Sequence, residues 1–278
     1  MSIAIDLASR LGRSSRLLAE STGRFARFSL HALDGVVRHP QRWMNWRVMA
    51  PLLMQIGVLS VPVVGITGVF IGMILAVESF AQFAAIGLED RLGMIINVSV
   101  VKQIGPVLAA VMVAGRVGGA LTAELGTMRV TEQLDAVRAM GADPVHVLVV
   151  PRIIACVVMT PILTVFSDVL GVTGGWLFTV VINGADHEAY WNYTGWFLTW
   201  WEPATGLIKA TFFGLSIGLI SCYKGFGCRA GAAGVGRATT ESFVASFLAI
   251  IAINLVLADF LREVGRVMLG IGFKSPLG

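Results

Sequence analysis

Charged residues are scarce in this sequence: they make up 14% of its 278 residues, whereas hydrophobic residues make up 56%. An ordinary globular chain carries about 25% charged residues. A water-soluble domain with so little charge could not cover its own surface, so the composition excludes an ordinary soluble protein and argues against disorder. The 32 glycines are typical of apolar helices that pack closely inside a bilayer. The composition therefore predicts an integral membrane protein.

Cysteine is also rare, and the three that occur, Cys156, Cys222 and Cys228, do not have the spacing of metal ligands. They lie in or beside apolar stretches, which predicts reduced thiols used for packing. The four histidines all fall outside the apolar stretches. The sequence therefore predicts no metal site and no cofactor.

A working nucleotide-binding motif is missing as well. The segment 231–238 approaches a phosphate-binding loop, but Arg237 stands where that loop needs lysine and Ala238 stands where it needs a hydroxyl residue. A motif around Ser216 matches the nucleophile elbow of hydrolases, yet it falls inside an apolar segment and has no histidine base. We therefore expect no catalytic residue and no ATP hydrolysis in this chain.

Long stretches without charge predict five membrane-spanning helices. Between Arg47 and Glu78 there are 30 residues without an ionisable side chain, and about 20 residues suffice to cross the hydrocarbon core. The first span is predicted at 52–77, and stretches with at most one charge predict further spans at 92–115, 153–185, 203–223 and 242–258. The stretch 153–185 fits one long tilted helix or two short helices that meet around 171–175.

The expected fold is an all-α integral membrane protein with three regions along the chain. Residues 1–50 form a cytoplasmic or interfacial segment, residues 51–265 form the transmembrane domain, and residues 266–278 form a C-terminal tail. Glycines four residues apart put two small residues on one helix face, which favours close packing of helices. Such pairs are Gly68/Gly72, Gly115/Gly119, Gly171/Gly175 and Gly214/Gly218.

Basic residues are concentrated near the N-terminus, where eight of the 21 precede Val48 against three acids. By the positive-inside rule this bias predicts a cytoplasmic N-terminus, and it argues against nucleic acid as a partner. Apolar residues recur there at helical spacing, which predicts an amphipathic helix on the inner membrane surface; they are Leu7, Leu11, Leu18 and Phe25. Trp43 and Trp46 add an interfacial anchor. We expect no signal peptide, and a mitochondrial transit peptide is the alternative for this Arg-rich segment.

Alternation of the spans places the segments 116–152 and 224–237 on the cytoplasmic side, and both are basic. The segment 183–202 would face outward, and it contains neither lysine nor arginine. The C-terminal tail would also lie outside although it is basic, which is the one departure from the rule.

The segment between the second and third spans predicts a short amphipathic helix at about 130–141. Apolar residues recur at helical spacing, opposite charged residues; they are Val130, Leu134, Val137 and Met140. Gly141 and Pro144 would end the helix. A helix this short is marginal alone, so it must dock on something. One interpretation is a coupling helix inserted into a cytoplasmic partner, and the other is a surface helix on the bilayer or on its own bundle.

The same segment resembles the MlaE-type permease family, also called YrbE, whose members are membrane subunits of Mce-associated lipid ABC transporters. The specific matches are Gly105-Pro106, 114–116, 121–126, 128–136, Met140, Asp143-Pro144 and Pro151-Arg152, with 57–60, 68–73 and 236–240 in support. The resemblance covers about residues 45–262. It implies five spans, an N-terminal interfacial helix, and a coupling helix that contacts an ATPase.

The resemblance also implies the partners. A homodimer in the bacterial inner membrane would carry two cytoplasmic ABC ATPase subunits and a periplasmic Mce-domain protein, often with a small STAS-domain protein. The residues expected to couple this chain to the ATPase are Glu124, Arg129, Glu132, Gln133, Leu134, Asp135, Arg138 and Met140.

Ionisable residues inside membrane spans are costly and therefore indicate functional positions. Lys102 and Lys209 begin two different spans at similar depth, which predicts that both reach an anionic lipid headgroup. The alternative is that the lysines pair with Glu78 or Asp259 and bind no ligand. The family often has acids at the positions of Gln103 and Asn254; both are amides here, which supports a polar lining but gives no basis for a charge relay. The predicted lipid-binding residues are Glu78, Lys102, Gln103, Lys209 and Asn254.

The sequence thus predicts a permease subunit that moves phospholipid or a related lipid between the inner membrane and an Mce conduit toward the outer membrane, driven by a separate ATPase. The alternative is an ATP-independent channel or an ion-coupled secondary transporter. A membrane-embedded lipid enzyme would need a nucleophile with its base or a metal cluster within the spans, and the sequence shows neither.

Overall fold

The computed structural model describes residues 2–38 and 45–269, and every regular element within those residues is helical. Five helices are long and apolar enough to cross a membrane, and we call them spans 1 to 5. They are Trp46–Ala84, Leu92–Val130, Val145–Ile182, Trp201–Phe226 and Ala232–Val267. The prediction of five spans is confirmed, and each span is longer than the stretch of low charge that predicted it.

The helices are numbered here in chain order. They are α1 (Ser2–Arg38), α2 (Trp46–Ile56), α3 (Val61–Ala84), α4 (Leu92–Ser99), α5 (Gly105–Val113), α6 (Gly119–Val130), α7 (Gln133–Ala139), α8 (Val150–Trp176), α9 (His187–Phe197), α10 (Trp201–Phe226) and α11 (Ala232–Leu269). Short 3₁₀ turns occupy Val58–Ser60 and Glu89–Arg91. Wider π-helical segments occupy Val100–Ile104, Ala114–Gly118, Val145–Val149 and Leu177–Ile182. Spans 1 to 3 are therefore composite helices.

Span 3 is a single long helix, which decides between the two interpretations of the stretch 153–185. Helix α8 runs without a break from Val150 to Trp176 and continues as a π-helical segment to Ile182. Pro161 lies within it, and the glycines at 171–175 do not interrupt it.

Glycines let span 3 pack closely against spans 1 and 4. A Cβ at Gly72 of span 1 would lie 1.8 Å from the Gly171 carbonyl oxygen, and a Cβ at Gly214 of span 4 would lie 2.5 Å from the Cys156 carbonyl oxygen. Three of the predicted glycine pairs therefore serve helix packing. In the pair Gly115/Gly119, a Cβ at Gly115 would make ordinary contact with Phe243, and a Cβ at Gly119 would meet no atom of the described residues within 4 Å.

Helix α1 packs on one end of the bundle, which we call the α1 end. Phe25 and Phe28 of α1 contact the ring of Tyr223 at centroid distances of 5.2 and 5.5 Å, and Ala32 is fully buried. Helix α7 and the turn between spans 4 and 5 lie at this same end, as the alternation of spans predicted. The side chains of Leu7, Leu11 and Leu18, and Trp43 itself, lie outside the described residues, so the placement of α1 on a membrane surface stays a prediction.

The opposite end carries α9, which packs against α4. Tyr190 of α9 is fully buried and donates a hydrogen bond to Asn97 of span 2, which in turn donates one to Thr194. Burial raises the pKa of Tyr190 to about 12, although the hydrogen bond with Asn97 opposes this change. The phenol therefore stays protonated and holds the connection between spans 3 and 4 against span 2.

Spans 1 and 5 have the most exposed apolar surfaces of the bundle. Exposed large side chains include Ile66, Phe70 and Ile74 on span 1, and Leu248, Leu255 and Val256 on span 5. Acyl chains or another apolar protein surface would cover such faces in a membrane.

Candidate functional site

A buried lysine lies at the centre of the polar group formed by spans 2 and 4. Lys209 of span 4 is only 1% exposed. Its Nζ donates hydrogen bonds to the Gln103 side-chain oxygen and to the Lys102 carbonyl oxygen, the latter at 3.1 Å. Lys102 Nζ forms an ion pair with Glu202 Oε2 at 2.9 Å. We call Lys102, Gln103, Glu202 and Lys209 the Lys209 cluster.

The local backbone explains how this cluster forms. Lys102 and Gln103 lie on the π-helical segment Val100–Ile104, and π-helical turns inside α-helices are frequent at functional sites. Span 4 approaches this segment closely because residue 206 is glycine, where a Cβ would lie 2.5 Å from the Val101 carbonyl oxygen. Lys209 lies three residues after Gly206, so its ammonium group reaches the carbonyl oxygen of Lys102.

The electrostatics of the cluster are unequal for its two lysines. Lys102 has a carboxylate partner, whereas Lys209 makes direct hydrogen bonds only to neutral oxygens among the described residues. Moving a charged group out of water costs several kcal/mol unless a counter-charge offsets it. The nearby carboxylate of Glu202 favours the charge on Lys209 and the Lys102 ammonium group opposes it. An anionic ligand group beside Lys209 would supply a direct counter-charge.

The alternative partners predicted for the lysines are wrong. Lys102 pairs with Glu202, which the alternation of spans placed in the outward-facing connection, and Asp259 pairs with Arg262 on its own helix. Glu78 is exposed on span 1. Lys102 pairs with Glu202 because span 4 begins at Trp201, which places Glu202 in the first turn of that span, facing span 2.

Asp168 is a half-buried acid that the predicted set of site residues did not include. Its Oδ1 is buried and has no hydrogen-bond partner among the described residues. A Cβ at Gly105 would lie 1.8 Å from this oxygen, so the carboxyl group touches span 2 two residues after Gln103. The sequence alone could have indicated Asp168, because it is the only charged residue within 153–185 and charged residues inside spans mark functional positions.

Two of the predicted lipid-binding residues form no hydrogen bond or ion pair with the Lys209 cluster among the described residues. They are Glu78 of span 1 and Asn254 of span 5. Asn254 is half-buried, and its Oδ1 has no hydrogen-bond partner among the described residues. The structure thus joins Lys102, Gln103 and Lys209 by hydrogen bonds in which Glu78 and Asn254 do not take part.

Helix α7 is shorter than predicted, and its apolar residues differ in burial. It covers Gln133–Ala139 because Glu132 adopts a left-handed backbone conformation (φ 59°) that separates it from α6. Leu134 is fully buried, whereas Met140 is 77% exposed and Val130 lies on the surface at the end of α6. The predicted single apolar stripe is therefore wrong, since its members belong to different segments.

The remaining predicted coupling residues form an exposed charged surface, with one exception. Asp135 accepts hydrogen bonds from Arg138 at 2.6 Å and from Arg129 at 3.3 Å. We use the term α7 surface for the exposed residues Arg129, Glu132, Gln133, Asp135, Arg138 and Met140. Glu124 is the exception: it is half-buried, accepts from Gln55 and pairs with Arg152 at 3.3 Å, so it joins spans 1, 2 and 3.

Comparison with known proteins relates this chain to a family of membrane permeases. The sequence model described as Permease MlaE matches residues 50–260. A probable ABC transporter permease protein of Rickettsia bellii is 38% identical over 260 residues, which is 94% of this chain and 99% of that protein. The intermembrane phospholipid transport system permease protein MlaE of Haemophilus influenzae is 29% identical, with the same coverage of 94% and 99%. A chloroplastic protein of Arabidopsis thaliana, TRIGALACTOSYLDIACYLGLYCEROL 1, is 33% identical over 78% of this chain and 62% of its own length.

Proposed function

This chain belongs to the MlaE permease family, and from that premise we propose that it passes phospholipid between the bacterial inner membrane and a periplasmic Mce-domain protein. It is a multi-pass membrane protein and a permease subunit of the ABC transporter type. In the proposed assembly two copies form a homodimer with their N-termini in the cytoplasm. A separate ABC ATPase supplies the energy, and a STAS-domain protein is a further candidate subunit.

The Lys209 cluster is the observation that carries the lipid part of the proposal. A buried ammonium group that makes direct contact only with neutral oxygens favours an anionic ligand group in a low-dielectric environment. A lipid phosphate is such a group. The exposed apolar faces of spans 1 and 5 would hold its acyl chains, so the headgroup and the chains have separate contact surfaces.

The α7 surface supports the coupling part of the proposal. It combines an exposed methionine with paired charges, and such surfaces suit protein–protein contacts with a polar rim. Leu134 is buried within this chain, so it would anchor α7 to the permease while the exposed residues meet the ATPase. A force applied to α7 would then pass to α6, which is the last part of span 2.

Purification of the full chain together with the proteins encoded by its neighbouring genes tests this proposal. We expect an ATPase to purify with the chain, and the reconstituted complex to move a fluorescent phospholipid from vesicles to acceptor protein only when ATP is hydrolysed. An ATPase that carries a substitution in its own phosphate-binding lysine is the matched control and should abolish transfer. Transfer that proceeds without nucleotide, or that follows an ion gradient, would contradict the proposal and favour a channel or a secondary transporter.

A further inference from the structure

Two histidines and one aspartate come together at the α1 end, away from the Lys209 cluster. His31 lies on α1, Asp143 lies between α7 and span 3, and His146 is the second residue of span 3. One ligand atom from each of these three side chains lies within 4.8 Å of the others. His31 and Asp143 are 112 positions apart in the sequence, which explains why residue spacing predicted no metal site.

The geometry of this group is close to that of a metal-binding site. His31 Nε2 donates a hydrogen bond to Asp143 Oδ2 at 2.6 Å, and His146 Nδ1 lies 3.7 Å from the same oxygen. Zinc binds histidine nitrogen and carboxylate oxygen at about 2.0–2.2 Å in a tetrahedral arrangement, so adjacent ligand atoms around it are about 3.3 Å apart. The two distances to Asp143 Oδ2 lie on either side of that value, and all three ligand atoms lie within 4.8 Å of one another. The two stacked imidazole rings would have to turn so that both nitrogens point at one ion.

The backbone around the site accommodates these side chains. Gly35 follows His31 by about one helical turn, and a Cβ there would lie 2.5 Å from His146 Cδ2. Glycine at this position therefore lets the His146 ring lie against α1, where it stacks on His31 at a centroid distance of 4.7 Å. Asp143 Oδ1 accepts a hydrogen bond from the Val145 N–H at 2.9 Å, which leaves Oδ2 directed at the two rings.

Metal binding requires a carboxylate and an imidazole nitrogen that are free of protons. The two oxygens of Asp143 have separate roles in this arrangement, since Oδ1 is held by the Val145 N–H and Oδ2 lies beside both imidazole rings.

We propose that His31, Asp143 and His146 bind a divalent transition-metal ion, with Zn²⁺ as the preferred species. Imidazole and carboxylate ligands suit zinc, and three protein ligands leave one position for water. His31 and Asp143 are partly exposed, with side-chain accessibilities of 48% and 35%, so solvent reaches that open position. This proposal replaces the prediction of no metal site and does not depend on the proposed transport function.

A bound ion would join α1 to the chain segment beside α7. Asp143 comes four residues after the end of α7 at Ala139, and His31 lies on a helix that packs against span 4. The ion would therefore restrict how far the α7 region moves relative to α1. We expect metal binding to stabilise the folded chain increasingly as the free ion concentration rises.

A metal titration of the full chain tests the proposal. The chain is purified in detergent without a polyhistidine tag, treated with a chelator and dialysed. We expect one equivalent of Zn²⁺ by calorimetry, and Co²⁺ in its place should give the visible absorption of a tetrahedral nitrogen–oxygen site. His31→Asn should weaken Zn²⁺ binding at least about tenfold, since even outer partners of metal ligands matter to that extent. His187→Asn, at the opposite end of the molecule, is the matched control and should bind as the wild type does.

The same samples give the outcomes that would overturn the proposal. Absence of saturable binding to the wild type would do so, and so would equal affinities of the wild type and His31→Asn. His31 is partly exposed, so its variant should match the wild type in gel-filtration profile and in metal-free thermal unfolding. If Asp143→Asn or His146→Asn does not fold, His31→Asn alone decides the result. Zn²⁺ should also raise the unfolding temperature of the wild type but not of His31→Asn, and a chelator should reverse that increase.

Discussion

The Lys209 cluster and the α7 surface are both polar, but they satisfy their polar groups in opposite ways. In the Lys209 cluster a fully buried ammonium group depends on neutral oxygens of span 2. On the α7 surface Arg129 and Arg138 are exposed and share the one carboxylate of Asp135, which neutralises part of their charge. Buried charge is costly and exposed ion pairs are nearly neutral in energy. The Lys209 cluster is therefore suited to take up the charge of a ligand, whereas the α7 surface is suited to contact another protein.

The largest effect is expected from a change that converts the anchor of α7 into a buried charge. Leu134→Asp would place an unpaired carboxylate in an apolar environment, at a cost of about 3–5 kcal/mol. We expect α7 to detach, and stimulation of the partner ATPase by lipid to be lost. Thermal unfolding in detergent and ATPase assays measure the two effects. Unchanged values in both would show that Leu134 does not fasten α7.

The second-largest effect is expected from a substitution in the Lys209 cluster. Lys209→Met removes a charge without leaving a cavity, so we expect the fold to be retained or slightly stabilised. Lipid transfer should fall about tenfold or more, because charged hydrogen bonds contribute about 1.5–3 kcal/mol. Transfer of a fluorescent phospholipid by the reconstituted complex measures this loss. Lys224→Met, a lysine that pairs with Glu241 at the α1 end, is the matched control, and an equal loss there would contradict a specific role for Lys209.

A smaller effect is expected from a substitution on the α7 surface. Met140→Asp changes a residue that is mostly solvent-exposed, so the unfolding temperature of the isolated chain should not change. Affinity for the ATPase should fall several-fold, since truncating an interface residue at a hot spot costs more than about 1 kcal/mol. Pull-down titrations measure that affinity. Trp196→Asp, exposed at the opposite end, should leave it unchanged; a similar loss in both variants would place the docking surface elsewhere.

The smallest effect is expected when an exposed ion pair is broken. Arg138→Gln removes one of two arginines that contact Asp135. An exposed pair of this kind contributes less than about 1 kcal/mol, and salt screens it. The unfolding temperature should therefore barely change at physiological salt. A loss as large as that caused by Leu134→Asp would show that the α7 surface is a structural core and not a contact surface.

The five spans could be predicted because an apolar stretch of about 20 residues without charge is typical of a helix that crosses a bilayer. The approach of Lys209 to Lys102 could also be predicted, because the two lysines lie at similar depths on different spans. The identity of the partner of Lys102 could not be predicted. That pairing depends on the rotation of span 4 and on its start at Trp201, and apolar composition defines helix ends only loosely.

Helix α7 shows where sequence reasoning fails for a physical reason. The predicted apolar stripe assumed one helix through 130–141, but Glu132 has a positive φ, which a residue other than glycine adopts only in special contexts. No local sequence pattern indicates such a residue. Asp168 was missed for a different reason: an isolated acid in a span is visible in the sequence, but its contact with Gly105 requires the packing of spans 2 and 3.

Native mass spectrometry of the purified full chain is the most direct test of headgroup binding at Lys209, because it counts the lipids that each variant retains. We expect the wild type and Lys224→Met to retain anionic phospholipid, and Lys209→Met to lose it while keeping the same oligomeric state. Equal retention by all three proteins would contradict the assignment of the headgroup to Lys209.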